Sequence, residues 1–392
     1  MRGIIFYLLL FAFIFFPLSN AGILYVGENR YPHLQEAINA SSPGDIIVIK
    51  AGIYKGASIN KPLTLRGEEC VIEGDLVINA EDVSIENLVI KDASHAIEIH
   101  GNNNRIRNCI IAGNSYGIKI EGYNNTIISN KIFKNKFYGI DLDYSLSNYI
   151  EENILYYNMW GIYLKHSHHT YITRNILREN IEGIKVQTSN NNVIKLNNIT
   201  ENQEKGIYLC CKSKDNYIFM NNFIGNKVNA FVLAEKNAWN SSEYGNYWDN
   251  YEGNDFYMLS KNNIDFHPSS FLYFINNSLK PEIKLFYPKE REKVSGILNI
   301  EGMNEAGGIV EWRIDNGTWN RANGTSFWNF SINTEKLTNG YHSIQVKCGE
   351  TILEREIYVA NNREFPSFIT IYPILSITMI FLWKYIRQKG RG

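Results

Sequence analysis

"GIDLDYSLSNYIEENILYYNMW" occupies Gly139–Trp160, and "GIYLKHSHHTYITRNILRENIE" follows without a break at Gly161–Glu182. Both open Gly-Ile-x-Leu, and both place Asn at two matching offsets further on. The same grammar opens at Gly117, Gly183 and Gly206, with weaker units at Ala96 and Ala230. The period is about 22 residues, within solenoid range. Inside a unit the apolar residues alternate over short runs, such as Ile140 and Leu142, then Ile150, then Ile154 and Leu155. That is strand periodicity, broken too often for helices. Three short strands per unit describe one coil of a parallel β-helix, which buries its apolar side chains only by stacking on other coils, about 4.8 Å apart.

The asparagines repeat with the coils. Asn130, Asn153, Asn175, Asn197 and Asn221 share one offset; Asn135, Asn158, Asn180, Asn202 and Asn226 share another. Stacked in register, their amides can form hydrogen-bonded ladders. Asn also tolerates the left-handed backbone of a sharp bend, so these residues are expected to make the corners themselves. A disordered Asn-rich tract is the competing reading, and the strict Ile and Leu spacing argues against it.

The ends indicate a compartment. Residues 1–21 join Arg2, an apolar run and a small-residue exit at Ser19-Asn20-Ala21, as in a secretory signal. Residues 365–386 are uncharged from Phe365 to Trp383 and long enough to span a bilayer, and Lys384, Arg387 and Lys389 follow, leaving 387–392 as a cytoplasmic tail. The expected location is therefore the cell membrane, single-pass, with most of the chain extracellular. Sequons at Asn39, Asn124, Asn198, Asn240, Asn276, Asn316, Asn323 and Asn329 suit a glycoprotein. A formal charge of −1 with mixed signs points away from nucleic acid. The five cysteines include no CxxC; the adjacent Cys210 and Cys211 could bind a soft metal or simply occupy an outward and a bend position.

Before the repeats, "LQEAINASSPGDIIVIKAGIY" reads as a short amphipathic helix, with Leu34, Ala37 and Ile38 on one face, then a turn and the strand Ile46 to Ile49. Such a helix would cover the open edge of the first coil. This stretch resembles the first segment of pectate-lyase-like right-handed β-helix proteins. The Gly-Ile-x-Leu…Asn-x-Ile…Asn units resemble the parallel β-helix repeat of the NosD-like family. "NAWNSSEYGNYWDNYEGND" resembles that family's closing motif, with Gly-Asn-Tyr-Trp at Gly245 to Trp248. The resemblance covers about Ile23 to Phe266. It implies a β-helix and, through NosD itself, a periplasmic accessory role at copper centres. Of the Asp-rich run that follows the motif in the family, and that looks suited to a cation, Asp255 and Asp265 are present. From Pro281 to Val359 the period disappears and aromatic-rich alternation takes over, with a tight-turn signal at Asp315-Asn316-Gly317. The expected fold is therefore all-β: a right-handed parallel β-helix (22–275), an immunoglobulin-like sandwich (281–360) and a C-terminal transmembrane helix.

The site follows from alternation. With Ile140 and Leu142 inward, Asp141 and Asp143 point out. One outward column reads Glu98, Lys119, Asp141, Tyr163, Lys185, Tyr208; its neighbour reads His100, Glu121, Asp143, Lys165, Gln187, Cys210. Carboxylates and amides bond hydroxyls and tyrosine rings stack on sugars, so the expected partner is a polysaccharide or cell-envelope glycan. Glu121, Asp141 and Asp143 are the catalytic candidates, since glycoside hydrolysis needs two carboxylates flanking the bond. Lys119, Tyr163, Lys165, Lys185 and Tyr208 are the substrate-binding candidates, and Lys119, Lys165 or Lys185 could act as base in a polysaccharide lyase. "KHSHHT" puts His166, His168 and His169 on one bend, a weak copper candidate. Cofactors are unknown at this stage. Binding without turnover, a structural spacer or adhesin, and a NosD-like copper-site accessory all remain open.

Overall fold

Ile118, Ile140, Ile162, Ile184 and Ile207 face one another across consecutive parallel strands, and all are buried. Removing each from water stabilises the stack by about 1.5–3 kcal/mol. The computed structural model describes residues 21–27, 30–253, 255–275, 283–305 and 308–361. The expected signal (1–21, save Ala21), transmembrane helix (365–386) and tail (387–392) lie outside them. Among the described residues no helix is long and apolar enough to cross a membrane.

The chain divides into two compact units, 1–280 and 281–392. The first is an all-β solenoid of the right-handed parallel type, in keeping with the hand of parallel crossovers. Each coil contributes one strand to a ten-stranded sheet and two to a seventeen-stranded sheet that bends along its length. In one coil these strands are Thr126–Ile128, Lys131–Phe133 and Tyr138–Asp143. Ile127, Ile132, Ile140 and Leu142 fill the interior. The weak unit at Ala96 keeps register with Gly117, whereas Ala230 aligns with Ile207 and so sits one residue later than the repeat spacing suggests.

The corners carry the ladders. The backbone N–H and the side-chain amide of Asn130 both donate to Asn153 Oδ1 at 3.0 Å, and the amide also donates to the Ile106 carbonyl at 3.0 Å. The rung repeats through Asn175, Asn197 and Asn221, and in the second column from Asn135 to Asn226. One expectation is corrected. The left-handed backbone falls on the residue before each rung: Ser129, Glu152, Arg174, Leu196 and Met220. The Asn side chain caps the bend and an unrelated neighbour makes it, at roughly 1–2 kcal/mol of strain that the ladder offsets.

A third ladder, not anticipated, runs from Asn104 through Asn125 to Asn148, is broken at Thr170, and resumes from the Thr170 N–H through Asn192, Asn216 and Asn237 to Asn263. The repeat's opening glycine has a separate cause. A Cβ on Gly139 would lie 2.6 Å from the carbonyl oxygen of Gly161, and one on Gly161 would lie 2.5 Å from that of Gly183. Close stacking, rather than unusual φ, demands glycine here.

Both ends of the solenoid are closed. The helix Leu34–Ala40 buries Leu34, Ala37 and Ile38 as expected. Its Gln35 accepts from the Ser58 N–H at 2.8 Å and donates to the Ser58 carbonyl at 3.2 Å, so a side chain pairs with a strand of the first coils. At the other end Trp248 stacks between Phe223 and Tyr257, each 4.4 Å away. Asp265, a candidate cation ligand by resemblance, is buried here. It accepts from the Asn246 N–H (2.7 Å), Trp248 Nε1 (3.0 Å) and the His267 N–H (3.0 Å). Gly245 is required because a Cβ would come within 2.0 Å of that carboxylate. The closing motif is thus a structural plug, and Asp255 lies exposed away from Asp265's bonds.

In the second unit, strands of a four-stranded and a five-stranded sheet share one core that includes Leu298, Ile300, Trp328, Ile344, Val346 and Ile357. The turn at Asp315–Gly317 joins antiparallel strands, as its residues suggest. The arrangement is a β-sandwich-like pair of sheets.

Candidate functional site

The third solenoid face has the longest strands. Tyr138–Asp143, Trp160–Lys165, Glu182–Gln187 and Lys205–Cys210 run six residues each, against three for Thr126–Ile128. Two outward positions per coil therefore become three. Register places Glu98, Lys119, Asp141, Tyr163, Lys185 and Tyr208 in one column, and Asp143, Lys165, Gln187 and Cys210 in the next. His100 and Glu121 touch at the foot of the second column, Nδ1 to Oε2 2.7 Å.

Most charges on this face are paired. Lys119 Nζ lies 3.0 Å from Glu98 and 2.7 Å from Glu121. Burial disfavours its charge, but the hydrogen bonds to Glu121 and Glu98 outweigh that and raise its pKa. The same bond from Lys119 holds the Glu121 carboxyl below its usual range. Lys119 is therefore a fixed cation and cannot serve as a base near neutral pH. Lys165 reaches Asp143 at 3.2 Å, and Lys205 reaches Glu182 at 2.6 Å and Glu204 at 3.4 Å.

Asp141 is different. Burial, then repulsion from Asp143, pushes its pKa up to about 6, against the pull of Lys165 and Lys119. Its Oδ1 and the Oδ1 of Asp143 are shielded from solvent and accept no hydrogen bond. A buried acceptor left unpaired costs about 1–3 kcal/mol, so two on one strand mark a place where donors are missing.

The aromatic side chains depart from expectation. His95, Tyr116, Tyr138 and Trp160, one outward position nearer the corner, stack along the axis with centroids 4.6, 5.5 and 5.0 Å apart. Sequence reasoning missed this column because its members are chemically unlike and precede the repeat's glycine. Tyr163 is 8% exposed, its ring stacked on Tyr138 at 5.3 Å and its hydroxyl donating to Gln187 at 2.7 Å. Tyr163 thus supports the face rather than offering a free ring. Tyr208 keeps partial exposure, tilted against Phe231 at 5.5 Å. Lys185 projects over three rings, those of Trp160, Tyr163 and Tyr208, at 5.1, 5.1 and 5.6 Å.

The expected metal ligands do not converge. His166 stacks on Tyr144 at 4.6 Å, and His168 Nδ1 accepts from the Asn190 N–H at 3.0 Å. His169 occupies the left-handed bend beside them. Among the described residues, Glu98, His100 and Glu121 bring ligand atoms within 4.8 Å of one another, but the Lys119 ammonium already bonds both carboxylates. The sulfurs of Cys210 and Cys211 lie 2.8 Å apart, and burial, with the neighbouring thiol, pushes Cys210 up to about 11.

Comparison with known proteins bears on the fold. The family model described as periplasmic copper-binding protein (NosD) matches residues 39–253. No curated protein matches the chain in sequence. Solved structures with similarity include pectate lyase Pel9A (15% identity, 62% of this chain and 84% of that one, TM-score 0.44). They also include the periplasmic alginate epimerase AlgG (18% identity, 50% of this chain and 60% of that one, TM-score 0.37). An endo-beta-1,4-mannanase from Thermotoga petrophila is similar over 22% of this chain and 21% of its own length, at 9% identity and a TM-score of 0.20. The chain thus spans less than two thirds of the epimerase and of the mannanase. Copper itself is poorly served by the described side chains. Copper favours several imidazole, thiolate or thioether donors together, whereas the converging group offers one imidazole and two carboxylates already bonded to Lys119, and burial keeps the Cys210 thiol protonated.

Proposed function

The chain belongs to the NosD family, and on that premise we propose that it binds an extended polysaccharide outside the cytoplasm, along the long-strand face between His95 and Tyr208. The observation that carries this reading is the register that brings Lys119, Asp141, Tyr163, Lys185 and Tyr208, with Asp143 and Lys165 beside them, onto one face of long strands. A polyol supplies hydroxyl donors in number, and each hydrogen bond to a charged acceptor is worth about 1.5–3 kcal/mol. Coils about 4.8 Å apart match the length of a sugar unit, so successive coils can engage successive sugars with little reordering. Glu121, Asp143, Lys165, Lys185 and Tyr208 are the contacts, with Asp141 at the centre.

Asp141 also favours a second reading, in which the glycan is cleaved. A carboxyl pushed up to about 6 beside another carboxyl has the character of a general acid in glycoside hydrolysis. A glycan array probed with residues 21–361, then searched for shortened products, tests both readings. Binding that is lost in a double Asp141→Asn, Asp143→Asn variant is the expected result. Wild-type binding in that variant would show that the carboxylates play no part. A membrane-tethered location, resting on segment 365–386, predicts that protease added to intact cells releases the folded units. Recovery of the intact chain in a soluble fraction would exclude the tether.

A further inference from the structure

The cations of the face are neutralised coil by coil, with one exception. Lys119 has Glu98 and Glu121, Lys165 has Asp143, and Lys205 has Glu182 and Glu204. Lys185, half-buried at the middle of the same column, has no carboxylate within ion-pair distance among the described residues. Its ammonium instead lies over the rings of Trp160, Tyr163 and Tyr208. Ring faces attract a cation but leave its charge uncancelled and its outer donors unused. The neighbouring second-column residues, Gln187 and Cys210, add no negative charge: one is an amide that accepts from Tyr163, the other a protonated thiol. The result is a local positive site, held in place by aromatic walls, two coils from Asp141.

We infer that Lys185 is the recognition point for a carboxylate on the bound glycan, so that the ligand is an acidic, uronate-bearing polysaccharide rather than a neutral one. This rests on the glycan-binding reading above and names its ligand class. Two coil spacings, about 9.6 Å, separate Lys185 from Asp141. A polymer lying along the axis therefore brings a carboxylate to Lys185 while the hydroxyls of a sugar about two units away meet Asp141 and Asp143. The carboxylate of that coil, Glu182, is buried and already held by Lys205 and the Trp160 indole, so it does not face the polymer's charge. Lys205 is unavailable for the same task because Glu182 and Glu204 already hold it.

The test compares polygalacturonate with the same polymer after its carboxyls are reduced to alcohols, each titrated at low salt against wild type, Lys185→Gln and Lys185→Arg. Wild type is expected to bind the acidic polymer about tenfold or more tightly than the reduced one. Lys185→Gln should abolish that preference and Lys185→Arg should retain it, with both variants still melting cooperatively. Equal wild-type affinity for both polymers, or a preference that survives in Lys185→Gln, overturns the acidic-ligand inference and leaves glycan binding standing. Failure of wild type to bind either polymer or any glycan on the array removes the underlying reading, and this inference with it.

Discussion

The corners and the long-strand face belong to the same coils, yet they are written by different rules. At the corners the residue is nearly the same in every coil: Asn130, Asn153, Asn175, Asn197 and Asn221 make one continuous column. On the face it changes at every step, from Lys119 to Asp141, Tyr163, Lys185 and Tyr208. A column that must hydrogen-bond to itself tolerates few residue types. A column that meets something else is free to vary, and here it varies in charge, size and aromaticity. The contrast separates what holds the solenoid together from what it presents.

The sharpest way to break the contrast is from inside. Ile140→Asp puts a charge among Ile118, Ile162 and Leu155 and is expected to cost several kcal/mol, enough to abolish the cooperative melt. A variant that melts like wild type would show that this position is not interior. On the face the sign should reverse. Asp141 is pushed up to about 6, above the roughly 3.9 expected in an unfolded chain, by burial and Asp143 against Lys165 and Lys119, with Glu121 a minor repulsion. Its ionisation therefore weakens the fold as pH rises through 4 to 6, by up to about 3 kcal/mol. Asp141→Asn should be the more stable protein at pH 7.5, with the difference vanishing below about pH 4. Identical denaturant midpoints at both pH values would contradict this assignment.

Asn153→Ala tests a rung. It leaves the Asn130 N–H and side-chain amide without their shared acceptor and should cost about 2 kcal/mol, wherever glycan binding stands. The smallest effect belongs to Tyr208→Ala, which should leave the melt nearly unchanged and weaken glycan affinity by about 1 kcal/mol. Unchanged affinity would remove Tyr208 from the contact set.

Much of the solenoid is legible in the sequence because burial and laddering repeat with the coil. The inward Ile and Leu, two Asn columns, the covering helix and the outward columns all follow from spacing alone. The third ladder is hidden because Thr170 interrupts it and loop lengths drift around Asn148. The bend residues are hidden because Ser129, Glu152, Arg174, Leu196 and Met220 share nothing but φ. Within the site, the sequence places Asp141, Asp143 and Lys185 on one face but not their unequal pairing. Pairing depends on which long side chain reaches which neighbour, and rotamers leave no trace in a repeat pattern. Tyr163 illustrates the limit: its outward position is readable, its burial under Tyr138 and Lys185 is not.

Asp265 gives the solenoid a defined last step. In the column from Asn130 to Asn246 each Asn both receives from the coil behind and gives to the coil ahead, so that column has no natural stopping point of its own. A carboxylate can only receive. Where Asp265 meets Asn246 and Trp248, the relay of donors runs out and no further coil is invited. That column is thereby terminated by one residue, independently of the number of repeats before it. Duplicating or deleting one whole coil upstream should then yield a folded solenoid with the same closed end, while inserting a single residue into a coil should not.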